Sequence, residues 1–233
     1  MPTPAILLNQ VTTLDGLFRA RALATPDHLS HIDFVPKTNQ RREFTWAQMR
    51  AQIGRWQAAL KAENLQPGDR VAIMLRNCVE WVCYDQAALA LGLVVVPLYT
   101  VDRPENVAYI LQEAGVKILL LETPEQWKQL AALDAPLVNL QRVLMLRPEE
   151  NAPADARVTS LETWLRPGEY VLPHVSDDAN QLATIVYTSG TTGKPKGVML
   201  THENILSNVK ALLSRIAIYP TDDVLSFLPL SHM

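Results

Sequence analysis

Cysteine is scarce: Cys78 and Cys83 are the only two in 233 residues. Five residues apart on a run that reads as helix, they fall on different faces. No disulfide framework is available, and two reduced, structural thiols fit a cytoplasmic setting. Excess positive charge is also missing, with 21 Lys and Arg against 24 Asp and Glu and a net charge of −3. That balance leaves no electrostatic footprint for nucleic acid. The five histidines have no metal-ligand spacing. The longest apolar run, about residues 87–99, is interrupted by Gly92 and Pro97 and is too short to span a bilayer. No basic segment followed by an apolar one stands at the N-terminus, so no signal peptide is read there. Peripheral contact with a membrane surface stays open. Repeats and low-complexity tracts are absent as well. What remains is a chain of 48% hydrophobic residues, enough for a substantial core in one large or two small domains.

The punctuation of that chain is that of alternating helices and strands. Thr45-Trp46-Ala47-Gln48 is a capping box, and Trp46, Met49, Ile53, Trp56 and Leu60 form an apolar helical stripe ending near Asn64. Residues 71–75 read as a buried strand, 79–91 as a helix and 93–98 as a second strand. Asp102 is expected to cap a helix with Pro104 in its first turn and Gly115 at its end. Residues 116–121 form the next strand, Thr123 to Gln126 another capping box, and 142–146 a further strand. Strands separated by helices of this length imply right-handed crossovers and an α/β fold, with a mainly parallel sheet covered on both faces. The expected organisation is a first α/β subdomain over 14–147, an irregular connection over 148–175 rich in Pro, Glu, Asp and Ala, and a last segment over 176–233. That last segment should hold a short strand at 197–200, a helix capped by Thr201 with a buried stripe from Ile205 to Ile216, and a strand at 224–228.

Residues 187–197 read Tyr-Thr-Ser-Gly-Thr-Thr-Gly-Lys-Pro-Lys-Gly and follow an apolar run. Glycines let backbone N–H groups turn toward an anion, hydroxyls donate hydrogen bonds, and lysines supply charge. The stretch is equipped to hold a polyphosphate. It is not a P-loop, which needs G-x-x-x-x-G-K-[ST] opening into a helix. Only two residues separate Gly190 from Gly193, and Pro195 stands where the Ser or Thr would be. Pro195 also turns Lys194 away from helical dihedrals, so the chain should continue extended. A solvated turn without a ligand is the competing reading.

The eleven residues resemble the phosphate-binding signature of the acyl- and aryl-adenylate-forming superfamily at every motif position. The family includes acyl-CoA synthetases, aryl-CoA ligases, luciferases and peptide-synthetase adenylation domains. The resemblance implies adenylation of a carboxylate by Mg²⁺-ATP with loss of pyrophosphate, and in most members transfer of the acyl group to a thiol such as coenzyme A. It implies that Ser189, Gly190, Thr191, Thr192 and Gly193 wrap the triphosphate, that Lys194 and Lys196 add charge, and that the Thr188 hydroxyl stands beside Mg²⁺. For Lys194, a merely solvated charge is the alternative. The ending Leu-Pro-Leu-Ser-His-Met is similar to a later motif, and implies that His232 lies beside the substrate carboxylate. Residues 94–100 and 108–111 are similar to segments of long-chain fatty acid–CoA ligases, while Val101-Asp102-Arg103 departs from their pattern.

The likeness covers the first half of a member, so the expected architecture is the N-terminal portion of the adenylate-forming fold, incomplete, without the C-terminal domain that carries the catalytic lysine. Such a chain is expected to be inactive alone and to self-associate through uncovered apolar surface. Among the other residues, His202 is expected to solvate or terminate its helix, and His28, His31 and His174 to be exposed. Tyr187 is a candidate for packing behind the loop.

Overall fold

Val71 and Ile73 enter one hydrophobic core, while Ala72 and Met74 enter another. All four belong to a single strand, and this period of two is that of a strand buried on both faces. The computed structural model describes residues 10–35, 38, 40–133, 135–147, 155–168, 170, 174–188, 193–219 and 222–232. Its elements are α1 (Leu14–Ala24), β1 (Leu29–Val35), β2 (Gln40–Thr45), α2 (Trp46–Ala62), β3 (Arg70–Met74), α3 (Val79–Ala90), β4 (Val94–Pro97), α4 (Pro104–Glu113), β5 (Val116–Leu121), α5 (Pro124–Ala131) and β6 (Arg142–Met145). There follow β7 (Val158–Ser160), α6 (Leu161–Trp164), β8 (Leu182–Thr188), β9 (Lys196–Thr201), α7 (His202–Leu213) and a 3₁₀ turn at Leu230–His232.

Seven strands form one sheet in the order β7-β6-β5-β3-β4-β8-β9. Every pairing is parallel except β8 with β9. Numbered from β3, the first five strands of this sheet follow the 2-1-3-4-5 order of a doubly wound fold. The expected mainly parallel sheet with helices on both faces is therefore present. One face carries α1, α2, α3 and α6, with Met49, Ile53, Trp56 and Leu60 packed against Val71, Ile73, Val95 and Leu120. Trp56 meets the rings of Tyr84 and Trp164 edge-on at 5.6 and 5.8 Å, a favoured aromatic geometry. The other face carries α4 and α5, whose Val107, Leu111, Trp127 and Leu130 cover Leu119, Leu121 and Val143.

Local signals set most of the boundaries. At the start of α2, Thr45 Oγ1 accepts from the Gln48 N–H at 3.2 Å and Gln48 Oε1 accepts from the Thr45 N–H at 2.8 Å. Gly115 ends α4 at φ +61°, a left-handed conformation that favours glycine. The expected cap by Asp102 is not made: Arg103 occupies the N-cap without a side-chain bond. Asp102 Oδ1 instead accepts from the Arg103 N–H and from Asn106 Nδ2, each at 2.8 Å, and closes the turn ahead of the helix.

Other departures have non-local causes. The connection after residue 147 is not wholly irregular, because Val158–Ser160 finds the free edge of β6 and pairs parallel to it. The segment from 176 onward builds no sheet of its own, since β8 joins β4 through Val95 and Thr184. The antiparallel ribbon of β1 and β2, absent from the sequence reading, runs from Leu29 opposite Thr45 to Val35 opposite Gln40. Leu29, Ile32 and Phe34 of β1 stay exposed and β2 is mostly polar, so no buried apolar face marks the pair. The expected strand at 224–228 does not form, as no described strand pairs with it, and Val224, Leu225, Phe227 and Leu228 are 66–82% exposed. Within α7 only His202 and Leu206 are buried, whereas Leu212 and Leu213 of its apolar stripe, and Ile216 just beyond it, stay 38–53% exposed.

Asp85 lies buried on α3, and burial pushes its carboxyl up from 3.8 to about 7. Between those two values the folded chain holds a proton that the unfolded chain has released. The stability contributed by neutral Asp85 is thus complete below the unfolded value and is lost as pH rises toward the folded one. In urea titrations from pH 5 to pH 8, the wild-type chain should lose about 2 kcal/mol more stability than Asp85→Asn. Parallel curves for the two proteins would refute the buried proton.

Candidate functional site

The glycine-rich stretch links the two strands of an antiparallel hairpin. β8 buries Ala183, Thr184, Val186 and Tyr187, and β9 runs back along it from Thr188 opposite Lys196 to Leu182 opposite Thr201. Strand therefore leads into strand, which bears out the rejection of a P-loop. No helix N-terminus opens directly behind the turn, so any anion there depends on backbone N–H groups, hydroxyls and the two lysines. Ser189, Gly190, Thr191 and Thr192 lie outside the described residues. Gly193 follows at φ +84° with nothing within 4 Å of where a Cβ would sit. Thr188 and Lys196 are exposed at the mouth of the hairpin, and Lys194 is placed with its Nζ 5.3 Å from the centre of the Tyr109 ring. Lys194 is itself exposed there.

Tyr187 packs behind the loop, as the sequence suggested. Its ring is buried and its hydroxyl donates to the Glu113 carboxylate on α4. Across the ladder stands Gly197. A Cβ there would come within 2.8 Å of Ile185 Cγ2 and 3.0 Å of Tyr187 Cζ. Gly197 is small because an aromatic ring covers its backbone, the arrangement by which aromatics shield glycines in sheets.

A cleft of about 580 Å³ opens at the carboxyl ends of β4 and β8, bordered by Pro97, Tyr99, Asp102, Asn106, Thr188 and Pro195. Open α/β sheets take ligands at their carboxyl ends, usually where the strand order reverses. Here that reversal, between β3 and β5, is closed by Glu122, which pairs with Arg76 at 2.9 Å and Arg147 at 3.4 Å. Ligand space is displaced toward β4 and β8, beside the glycine-rich turn. Burial, and next the Asp102 charge, hold the Tyr99 phenol above its ordinary value. Among the described residues no group of three or more His, Cys, Asp or Glu could hold a metal ion. The Thr188 hydroxyl and Asp102 carboxylate border one cleft and are hard oxygen donors. Magnesium takes one or two such ligands while keeping phosphates and waters.

The turn bearing His232 is fastened by Asn77, just after β3. Asn77 Nδ2 donates to the carbonyls of Leu228 at 2.7 Å and Ser226 at 3.1 Å, and its Oδ1 accepts from the Leu230 N–H at 2.9 Å. The His232 side chain lies outside the description. Three other histidines overturn expectation, and of these His31 is half-buried with its ring 6.2 Å from that of Trp46. The His174 side chain is buried between Asp15 and Asp177, and His202 is 2% exposed, its Nδ1 accepting from the Leu14 N–H at 3.2 Å. Burial lowers the pKa of His202, favouring the neutral ring that can accept. His174 and His202 bind α1 to the segments just before β8 and just after β9. Nothing in their polar sequence surroundings signals this.

The family model for AMP-binding enzymes matches residues 18–233. A long-chain-fatty-acid–CoA ligase of Mycobacterium bovis, FadD15, is 33% identical over 82% of this chain and 32% of its own length. FadD13 of Mycobacterium tuberculosis, also a long-chain-fatty-acid–CoA ligase, is 32% identical over 93% of this chain and 40% of its own. The inhibitor-bound crystal structure of the N-terminal domain of FACL13 from Mycobacterium tuberculosis superposes with a TM-score of 0.75 at 30% identity, over 89% of this chain and 49% of that one. The chain thus spans about a third to two fifths of the curated relatives it matches.

Gly197→Ala should destabilise the chain by about 1–3 kcal/mol, since the added methyl must displace Tyr187 or Ile185. Combined with Tyr187→Ala the added cost should shrink to the part set by Ile185 Cγ2, as read from urea midpoints. Additive effects would show that the ring does not require the glycine.

Proposed function

Because the chain belongs to the AMP-binding enzyme family, we propose that it supplies the polyphosphate-holding part of an ATP-dependent acyl-CoA synthetase acting on fatty acids. The observation that supports this reading is the position of the glycine-rich hairpin beside a carboxyl-end cleft, whose border includes Thr188 from one of its strands and Pro195 from its return. In the whole protein, a carboxylate oxygen would attack the α-phosphorus of ATP, forming an acyl adenylate and releasing pyrophosphate. The thiol of coenzyme A would then attack the acyl carbonyl and displace AMP. Negative charge gathers on the departing pyrophosphate, so donors and cations placed there in advance lower the barrier. Ser189, Gly190, Thr191, Thr192 and Gly193 would supply the donors, and Lys194 and Lys196 the charge. Lysine is a compact point charge suited to following a flexible phosphate chain. Thr188 would give one oxygen to Mg²⁺, and the ion would neutralise phosphate charge there. His232 would stand beside the acid. A cytoplasmic setting belongs to the same proposal.

Taken alone, this chain leaves apolar side chains uncovered along β9 and α7, including Met199 at 68% and Leu212 at 51% exposed. An exposed apolar edge strand invites pairing with another copy. The 233-residue chain should therefore self-associate and should release no pyrophosphate with any fatty acid. A clean monomer in sedimentation at high concentration would refute the first expectation, and robust turnover the second.

The full-length protein should catalyse ATP–pyrophosphate exchange with medium- or long-chain fatty acids in preference to aryl acids. Thr191→Ala or Thr192→Ala should slow that exchange roughly 10-fold or more by removing a donor to the leaving group. Exchange driven best by aryl acids would move the protein to another branch of the family, and unchanged kinetics in both variants would remove the loop from the chemistry.

A further inference from the structure

Two side chains of α4 grip the hairpin on opposite sides of its turn. Tyr109 and Glu113 are four residues apart on α4 and so lie on one face, one turn above the other. Glu113 accepts from the hydroxyl of Tyr187, the residue before Thr188 at the end of β8. Tyr109 carries Lys194 over its ring, on the other side of the turn. The strand entering the turn and the lysine leaving it are thus referred to the same helix. Gly197 makes the arrangement feasible, because only a glycine leaves room for Tyr187 across the ladder.

Resting on the reading of the hairpin as a polyphosphate site, we propose that α4 is its positioning element: Glu113 fixes the stem through Tyr187, and Tyr109 parks Lys194 until a polyphosphate takes it. The order of strengths permits the exchange. An exposed ammonium is held weakly by an aromatic face, whereas a charge-assisted bond to phosphate is stronger. Lys194 is exposed and the Tyr109 ring half-buried, so the lysine leaves without opening a core. The ring holds the ammonium next to α4, where the Glu113 carboxylate one turn on is already engaged by the Tyr187 hydroxyl. Tyr109 and Glu113 touch no reacting atom; both act through other residues.

The test uses the full-length protein with its lysines converted to ¹³C-dimethyl-lysine, the Lys194 resonance being assigned by Lys194→Arg. In the free protein the ring current of Tyr109 should displace that resonance. Tyr109→Phe should keep the displacement, and Tyr109→Leu should abolish it. Mg²⁺-ATP should move the wild-type resonance off its ring-shifted position, and the Lys196 resonance should respond as well. A Lys194 signal indifferent to Tyr109→Leu overturns the parking. A Lys196 signal that responds to Mg²⁺-ATP while Lys194 stays on the ring overturns the release but leaves the polyphosphate reading intact. If neither lysine responds, that reading itself fails. For the stem, Tyr187→Phe removes one hydroxyl and should raise the KM for ATP about threefold to tenfold, leaving the KM for the acid unchanged. An equal rise in both would reflect general loss of structure and overturn the positioning role of Glu113.

Discussion

The Thr184 hydroxyl, buried at the centre of β8, donates to the Val95 carbonyl on β4 at 2.8 Å. Val95 and Thr184 are also the recorded ladder pair between these strands. Through this junction an antiparallel hairpin is attached to a parallel sheet, and the placement of the glycine-rich stretch depends on it. A second bond strengthens it at one end, where Gln181 Nε2 donates to the Gly92 carbonyl at 3.0 Å. Gly92 takes a left-handed φ of +70° there, which exposes its carbonyl to a side chain. Doubly wound sheets are rigid because both faces are packed. Fastening the hairpin to β4 gives the loop the rigidity of the sheet without placing the loop at the sheet's own topological crevice.

A second fastening runs through α1. Asp15 and His174 meet in a buried contact, and His202 accepts from the first amide of the helix. The first lies ahead of β8 and the second follows β9, so one short helix touches the hairpin segment on both flanks. Buried ionic and polar pairs add little net stability, because desolvation offsets their attraction, but they tolerate few alternative arrangements. Their effect here is to fix the chain entering β8 and leaving β9. The thiols contribute differently: burial pushes Cys78 up to about 12 and Cys83 higher still, so both are inert packing groups.

What the sequence disclosed and what it hid divide along the range of the interaction. The capping box at Thr45, the left-handed stop at Gly115 and the strands 71–75, 116–121 and 142–146 rest on neighbours within a few residues, and each appears within a residue or two of its expected bounds. The eleven-residue loop is likewise a local string, so its family was legible at once. By contrast, β7 exists because β6 offers an edge, and the apolar run 224–228 is not a strand because no described edge meets it. His174 and His202 sit in polar surroundings in sequence and in buried ones in space. The Asp102 cap failed for a subtler reason: its carboxylate found a closer donor in Asn106 and the adjacent amide. The grip of Tyr109 and Glu113 on the hairpin joins residues more than seventy positions apart, and no local pattern announces it.

The hairpin form of the site explains why such a grip is useful. A loop that opens into a helix presents several aligned N–H groups and a fixed partial charge to an anion. A strand–turn–strand offers no such field, so positive charge must come from side chains that are flexible and exposed. A flexible lysine loses conformational freedom whenever it is held, and its ammonium can be captured by any nearby carboxylate. Confining Lys194 on an aromatic ring removes part of that freedom in advance. Engaging Glu113 with Tyr187 occupies one carboxylate of the same helix face. Both contacts come from one face of α4, whose opposite side is locked into the core by Val107, Ile110 and Leu111. The positional accuracy that a helix N-terminus would have provided is supplied instead by a helix lying alongside the turn.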